Sequence, residues 1–154
     1  MPAFYLDSSA LVKRYSAETG SRFIIKLVRP SAKNRLYSVR ITEVEVCSAL
    51  MRKRKSLTMS AAAATKSITR FRRNFAARLI ISEITEALVN EAIRLSDLHA
   101  LRAYDAVQLA SALAANSQRI SHGLLPLIFV SADTDLNNAA QAEGLAVENP
   151  NNYP

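Results

Sequence analysis

Tryptophan is absent from the 154 residues, and there are only one cysteine, two histidines and three glycines. Each scarcity removes a class of explanation. Cys47 has no partner within the chain, so no internal disulfide holds the fold, and a reducing compartment, the cytoplasm, is expected. His99 and His122 are far apart in sequence, and with a single thiol they cannot supply the ligand set of a zinc site. Gly20, Gly123 and Gly144 never fall at the spacing of a phosphate-cradling loop. The G-x-S-x-G motif of a serine nucleophile is also missing, which leaves Ser8 and Ser9 poor nucleophiles. No apolar run approaches a bilayer span, and the first is broken at Asp7 with no basic segment before it. A soluble, unexported protein without membrane contact is expected. Repeats and Pro/Gly/Ser-rich linkers are lacking too, and the length suits one domain, residues 1–148, with 149–154 as a short tail where any disorder should lie.

What the chain does have is basic charge. Twenty Lys and Arg face thirteen Asp and Glu, a net +7 with a pI near 9.9, the balance of a protein that meets polyanions. A scattered excess of this size is also compatible with an ordinary solvated surface.

The apolar pattern alternates short strands with helices. Residues 3–6 read as a strand, 9–15 as one or two helical turns, 21–28 as a helix stopping before Pro30, and 36–39 as a second strand. Helices follow over 42–55 and 60–77, the second with Ile68, Phe71 and Phe75 on one face. Together they form an arm suited to dimerisation or to gripping a partner, with a plain core role for that face as the alternative. Beyond the arm come a strand over 79–84, helices over 86–98 and 104–116, a strand over 127–130, and a helix over 137–143 closed by Gly144. The expected fold is α/β, a central parallel sheet flanked by helices, which binds ligands at the carboxyl ends of its strands.

Four carboxylates fall at that edge: Asp7 after the first strand, Glu45 early in the helix after the second, Asp105 opening the alanine-rich helix, and Asp133 after LIFVS. Singly, several read as helix caps, with Thr42 to Glu45 as a capping box, Asp105 with Gln108 as a similar cap, and Asp133 capping the last helix. Caps do not explain why several acids gather at one edge, where like charges repel unless a cation holds them. All-oxygen donors point to Mg²⁺ or Mn²⁺. A carboxylate-held metal together with basic charge points to phosphodiester chemistry, because the ion lowers the pKa of a water and neutralises phosphate charge.

YLDSSALVKRY, ITEVEVCSALMR, LRAYDAVQLASAL and FVSADTDLNNAAQAEGL resemble, in order, the four motifs of PIN-domain ribonucleases, and the compact length resembles VapC-type toxins of bacterial toxin–antitoxin pairs. The resemblance implies a PIN-like fold and a Mg²⁺- or Mn²⁺-dependent endoribonuclease leaving 5′-phosphate and 3′-hydroxyl ends. Its partners would be an RNA substrate, a small antitoxin protein and a second copy in a homodimer. It assigns Asp7, Glu45, Asp105 and Asp133 as catalytic metal ligands, with Ser9 supporting the metal or its water. Glu43 lies about 200° around the helix from Glu45 and is set aside, while Asp135 competes with Asp133. Lys13, Arg14, Arg52, Lys53 and Arg54 are possible RNA contacts, though Lys13 and Arg14 also read as a solvated face, and Arg52 to Lys55 as charges suited to a helix C-terminus. The alternatives are a PIN nuclease of RNA maturation and a non-catalytic RNA-binding module. A phosphoacceptor receiver domain would need an acidic pair after the first strand, and an aspartyl-phosphate phosphatase a D-x-D; DSS offers one acid.

Overall fold

A computed structural model describes residues 1–154. Five parallel strands, β1 (Ala3–Leu6), β2 (Arg35–Val39), β3 (Ile80–Ser82), β4 (Ile128–Val130) and β5 (Ala146–Glu148), form one sheet in the order β3-β2-β1-β4-β5. Phe4 pairs with Leu36 on one side of β1 and with Ile128 on the other. The direction of winding therefore reverses at β1, and a crevice opens beyond its carboxyl end. Seven helices cover the sheet: α1 (Ser8–Leu11), α2 (Ser21–Val28), α3 (Ile41–Lys55), α4 (Ala61–Arg78), α5 (Glu86–His99), α6 (Ala103–Ser121) and α7 (Thr134–Ala142).

Strand alternation sends neighbouring side chains into two cores. Tyr5 and Phe129 join Leu95 and Leu109 beneath α5, α6 and α7. Leu6 and Val130 join Ile24, Leu50, Phe71 and Phe75 beneath α1 to α4. Both faces are thus covered, as an all-parallel sheet requires.

The elements differ from the sequence reading where local signals mislead. β5 was not foreseen, because Ala-Val-Glu has no apolar run to mark it. The strand expected over 79–84 shortens to Ile80–Ser82, and the alanine-rich helix runs on to Ser121. Of the arm's apolar residues, Phe71 and Phe75 are each 1% exposed, and Phe71 meets Tyr15 edge-on at 5.3 Å, so this face of α4 is core. The tail is docked, not loose: Tyr153 stacks on Phe23 at 4.2 Å and donates to Glu148, while Pro150 is buried. Opposite Pro150 sits Gly20 at φ +85°, where any Cβ would run into the Pro150 carbonyl.

Two expected caps are also absent. α3 starts at Ile41, so Thr42 is already inside the helix and points into the core, and Asp105 lies within the first turn of α6 beyond Arg102, the actual cap position. Asp133 does cap α7, accepting from the Leu136 amide at 3.0 Å, and Asp7 caps α1, accepting from the Ala10 amide at 2.9 Å.

Candidate active site

Asp7 leaves β1 at the switch point, 3% exposed, and its carboxylate is fully engaged. One oxygen accepts from Ser9 at 2.7 Å and from the Ala10 amide; the other accepts from Ser131 at 2.6 Å. Burial pushes the Asp7 pKa up to about 6, against the downward pull of these hydrogen bonds, and Glu45 raises it further. Three neutral donors therefore hold this carboxylate without a counter-charge from the chain.

Glu45 comes from α3, which crosses toward β1. Its Oε2 accepts from Ser8 at 3.1 Å and its Oε1 from Gln108 Nε2 at 2.8 Å. Gln108 is 1% exposed and has no free hydrogen-bonding group on the Glu45 side. Its amide nitrogen also donates to Thr42 at 2.8 Å, and its oxygen accepts from the Tyr5 hydroxyl at 2.8 Å. Burial raises the Tyr5 pKa well above its ordinary value, so the phenol stays protonated and fixes the direction of the whole chain of bonds, Tyr5 to Gln108 to Glu45.

Asp105 and Asp133 complete the set. The Asp105 carboxyl is raised above its ordinary value, first by burial and then by Asp133 and Glu45, with Arg102 pulling the other way. These mutual effects bring Asp7, Glu45, Asp105 and Asp133 into one electrostatic neighbourhood. Asp135 lies apart, in a pocket with His99 and Leu101. Glu43 also points elsewhere, paired with Arg40 at 3.2 Å and Arg72 at 2.9 Å. A two-residue step along a helix turns a side chain about 200°, which accounts for the separation of Glu43 from Glu45, while Asp133 caps α7 from extended backbone and Asp135 lies inside the helix.

The supporting residues divide differently from the sequence expectation. Ser9 bonds Asp7 and accepts from the Ala132 amide at 2.9 Å, tying β1 to the turn after β4. Lys13 is neither a phosphate contact nor a solvated side chain. It is 7% exposed and its Nζ donates to the Thr19 carbonyl at 2.8 Å with Glu18 alongside, because the short helix turns it inward. Lys53 is drawn to Glu18 at 3.4 Å, and Arg14 faces a different cavity. Arg52 alone of the basic set lines the cavity beside Glu45, a space of about 440 Å³ that it shares with Ser8, Ser9 and the exposed ring of Tyr104; Glu45 is the one acid in its lining. Arg54 is exposed at the end of α3.

Sequence reasoning missed Ser131 and the supporting role of Gln108. Asn137 steadies Ser131 by donating to its carbonyl at 2.8 Å, and Ser131 Oγ also accepts from the Asp133 amide at 3.1 Å. The one available signal was a polar residue on the apolar face of α6, three positions after Asp105.

The donor set suits a hard divalent cation. It consists of carboxylate oxygens, and His99 and His122 lie beside Glu143 and the Gln118 carbonyl respectively, apart from the acids. Burial is the main cause that raises Asp7 and Asp105, and the smaller repulsion from Glu45 and Asp133 is what a cation would relieve. No three Asp, Glu, His or Cys side chains stand close enough to cage an ion, so an ion would have to draw an open set together.

The family model described as PIN domain matches residues 4–142. Among solved structures, the chain resembles FitAB bound to the IR36 DNA fragment (TM-score 0.63, 17% identity, 96% of this chain and 94% of that one). It also resembles VapBC2 from Rickettsia felis bound to a DNA fragment from their promoter (TM-score 0.61, 13% identity, 96% and 98%). A toxin–antitoxin complex from Klebsiella pneumoniae is a third (TM-score 0.58, 17% identity, 97% and 98%). At these identities the likeness is one of fold. Comparison with the curated proteins gives no match.

Proposed function

Because the chain belongs to the PIN-domain family, we propose that it is a Mg²⁺- or Mn²⁺-dependent endoribonuclease and the toxin member of a toxin–antitoxin pair. The observation that carries this reading is the facing of Asp7, Glu45, Asp105 and Asp133 at the carboxyl edge of the sheet, each raising or raised by another. When bound, the divalent ion supplies charge neutralisation at the phosphate and a lowered pKa for water. The residues of the chain hold and orient. Asp7 is the fixed anchor, locked by Ser9, Ser131 and the Ala10 amide. Glu45 is aimed by Ser8 and Gln108. Asp133 spends one oxygen on capping α7 and keeps the other available, so helix and site share one carboxylate. Asp105, half-buried and raised by burial and by Asp133 and Glu45, completes the acidic set from α6. Arg52 and Tyr104 line the cavity beside Glu45 and supply a cation and an exposed ring for the RNA strand.

A small antitoxin is the proposed partner, supported by the toxin–antitoxin complex among the structural relatives. Val44 and Met51 leave apolar surface open on the arm for it or for a second copy in a homodimer. No helix is long and apolar enough to cross a membrane, and the proposed location is the cytoplasm. The test is cleavage of structured RNA by purified protein freed of any partner. Cutting should require Mg²⁺ or Mn²⁺, stop with chelator, and vanish in Asp7→Asn and Asp105→Asn. Cleavage undiminished by chelator refutes the metal requirement. Growth arrest on expression, relieved by co-expressing the neighbouring small gene, tests the toxin role; normal growth with active enzyme present refutes it.

A further inference from the structure

Between the segment after α1, the end of α2 and the second half of α4 lies a second cavity, of about 280 Å³, with five arginines in its lining: Arg14, Arg29, Arg70, Arg73 and Arg78. It sits near the start of β2 at Leu36 and just before β3 at Leu79, whereas the acids follow the strands' carboxyl ends. Leu11, Arg14 and Tyr15 close its other side, and none of the four acids, nor any other Asp or Glu, lines it.

Of the nine arginines elsewhere in the molecule, three find carboxylates. Arg40 pairs with Glu43 and Glu83, Arg72 with Glu43, and Arg94 with Glu91 and Glu143. None of the five cavity arginines forms an ion pair; Arg78 donates to the Val28 carbonyl at 2.9 Å, and Arg14 lies over the Tyr15 ring. α4 makes the contrast within one helix. Arg72, on its α3-facing side, is paired, while Arg70, Arg73 and Arg78 turn to the cavity unpaired. Arg70 and Arg73, at i and i+3, repel each other. The floor is apolar, built from Leu11, Val28, Leu36 and Leu79, with Arg29, Arg70 and Arg73 exposed around it.

We infer that this cavity is an oligophosphate site, taking two or more phosphate groups borne by an RNA chain or by a free polyphosphate. One carboxylate would balance one of five charges, whereas linked phosphates bring several charges into a small space. Guanidinium forks match phosphate oxygens in pairs, and every cation here is Arg and none is Lys. The volume is at the lower limit for ligand pockets, about 300 Å³, which suits a compact anion better than a folded element. This site is independent of the acidic cleft and of the nuclease reading.

Calorimetric titration of the full chain in chelator, at fixed ionic strength, tests it with three probes: inorganic tripolyphosphate, a short 5′-phosphorylated RNA and hexaglutamate. The paired change Arg70→Gln with Arg73→Gln removes two exposed charges from α4 without touching its core face. Arg54→Gln with Lys55→Gln removes the same net charge from the end of α3. Tripolyphosphate should bind the parent, weaken at least tenfold in the α4 variant, and bind the α3 variant as it binds the parent. If RNA weakens in parallel, the phosphates are those of an RNA chain; if RNA binding is unchanged, they belong to a free polyphosphate. No tripolyphosphate binding to the parent, equal weakening in both variants, or hexaglutamate binding as tightly with the same dependence on Arg70 and Arg73 overturns the inference.

Discussion

Replacing Asp7 by Asn should change how the stability of the chelated protein responds to pH. The carboxyl rises from 3.8 to about 6 on folding, chiefly through burial. A raised folded pKa means that the native state holds its proton more tightly than the unfolded chain does. The associated stability is complete below about pH 3.8 and is lost as pH rises through about 6. Two units at 1.36 kcal/mol each amount to about 3 kcal/mol, of which roughly 1 is already lost by pH 4.5, leaving about 2 between pH 4.5 and pH 8. Asn cannot ionise and escapes this loss. Its oxygen can keep the Ser9 and Ala10 contacts, and its amide can donate to a rotated Ser131 hydroxyl, so the fixed cost of the exchange is about 1 kcal/mol. For a chain of this length 1 kcal/mol moves the melting temperature by about 3 °C. Thermal melts in chelator should therefore show the Asn variant gaining roughly 6 °C on the parent between pH 4.5 and pH 8, ending as the more stable of the two. A constant difference across that range would refute the burial argument.

Gln108→Leu strands the Tyr5 hydroxyl and frees Glu45 and Thr42, and should cost about 2–4 kcal/mol in urea unfolding. Adding Tyr5→Phe should recover part of that, and simple additivity of the two changes would show that the relay is not a unit. Glu43→Gln breaks only exposed ion pairs and should cost less than about 1 kcal/mol with cleavage nearly intact, while Glu45→Gln should lose at least about a hundredfold. The reverse ranking in RNA cleavage assays would reassign the α3 acid. Phe71→Ala should destabilise by about 3–5 kcal/mol, and a loss below 1 would mean that α4 is not core.

Asp7 and Asp133 were legible because each follows an apolar strand and caps the next helix, while Glu45 and Asp105 lie early in α3 and α6 and were matched through the family motifs. Helical geometry said that only one of Glu43 and Glu45 could face the site, and the resemblance to the family motif picked Glu45. Their partners were not legible. Ser131 meets Asp7 across 124 positions and Gln108 meets Glu45 across 63, and nothing local distinguishes a serine or glutamine that bonds a carboxylate from one that faces water. Lys13 misled for the same reason: its destination, the Thr19 carbonyl, depends on how the chain turns after α1. β5 was hidden by its brevity, and the docked tail by a contact between Gly20 and Pro150 that only the folded chain reveals.

The span from Asp7 to Ser131 also has a consequence in time. Chains emerge from synthesis at about 5–20 residues per second, amino end first, so Asp7 is exposed for several seconds before its serine partner exists. Until β4 has been made and has slid in beside β1, the first carboxylate has no rigid cradle and the fourth acid is missing. Gly20 and Phe23 wait longer still, because Pro150 and Tyr153 are among the last residues added. A chain cut short anywhere before residue 133 therefore lacks the fourth acid of the candidate site, and one cut before residue 131 also lacks the serine that cradles Asp7.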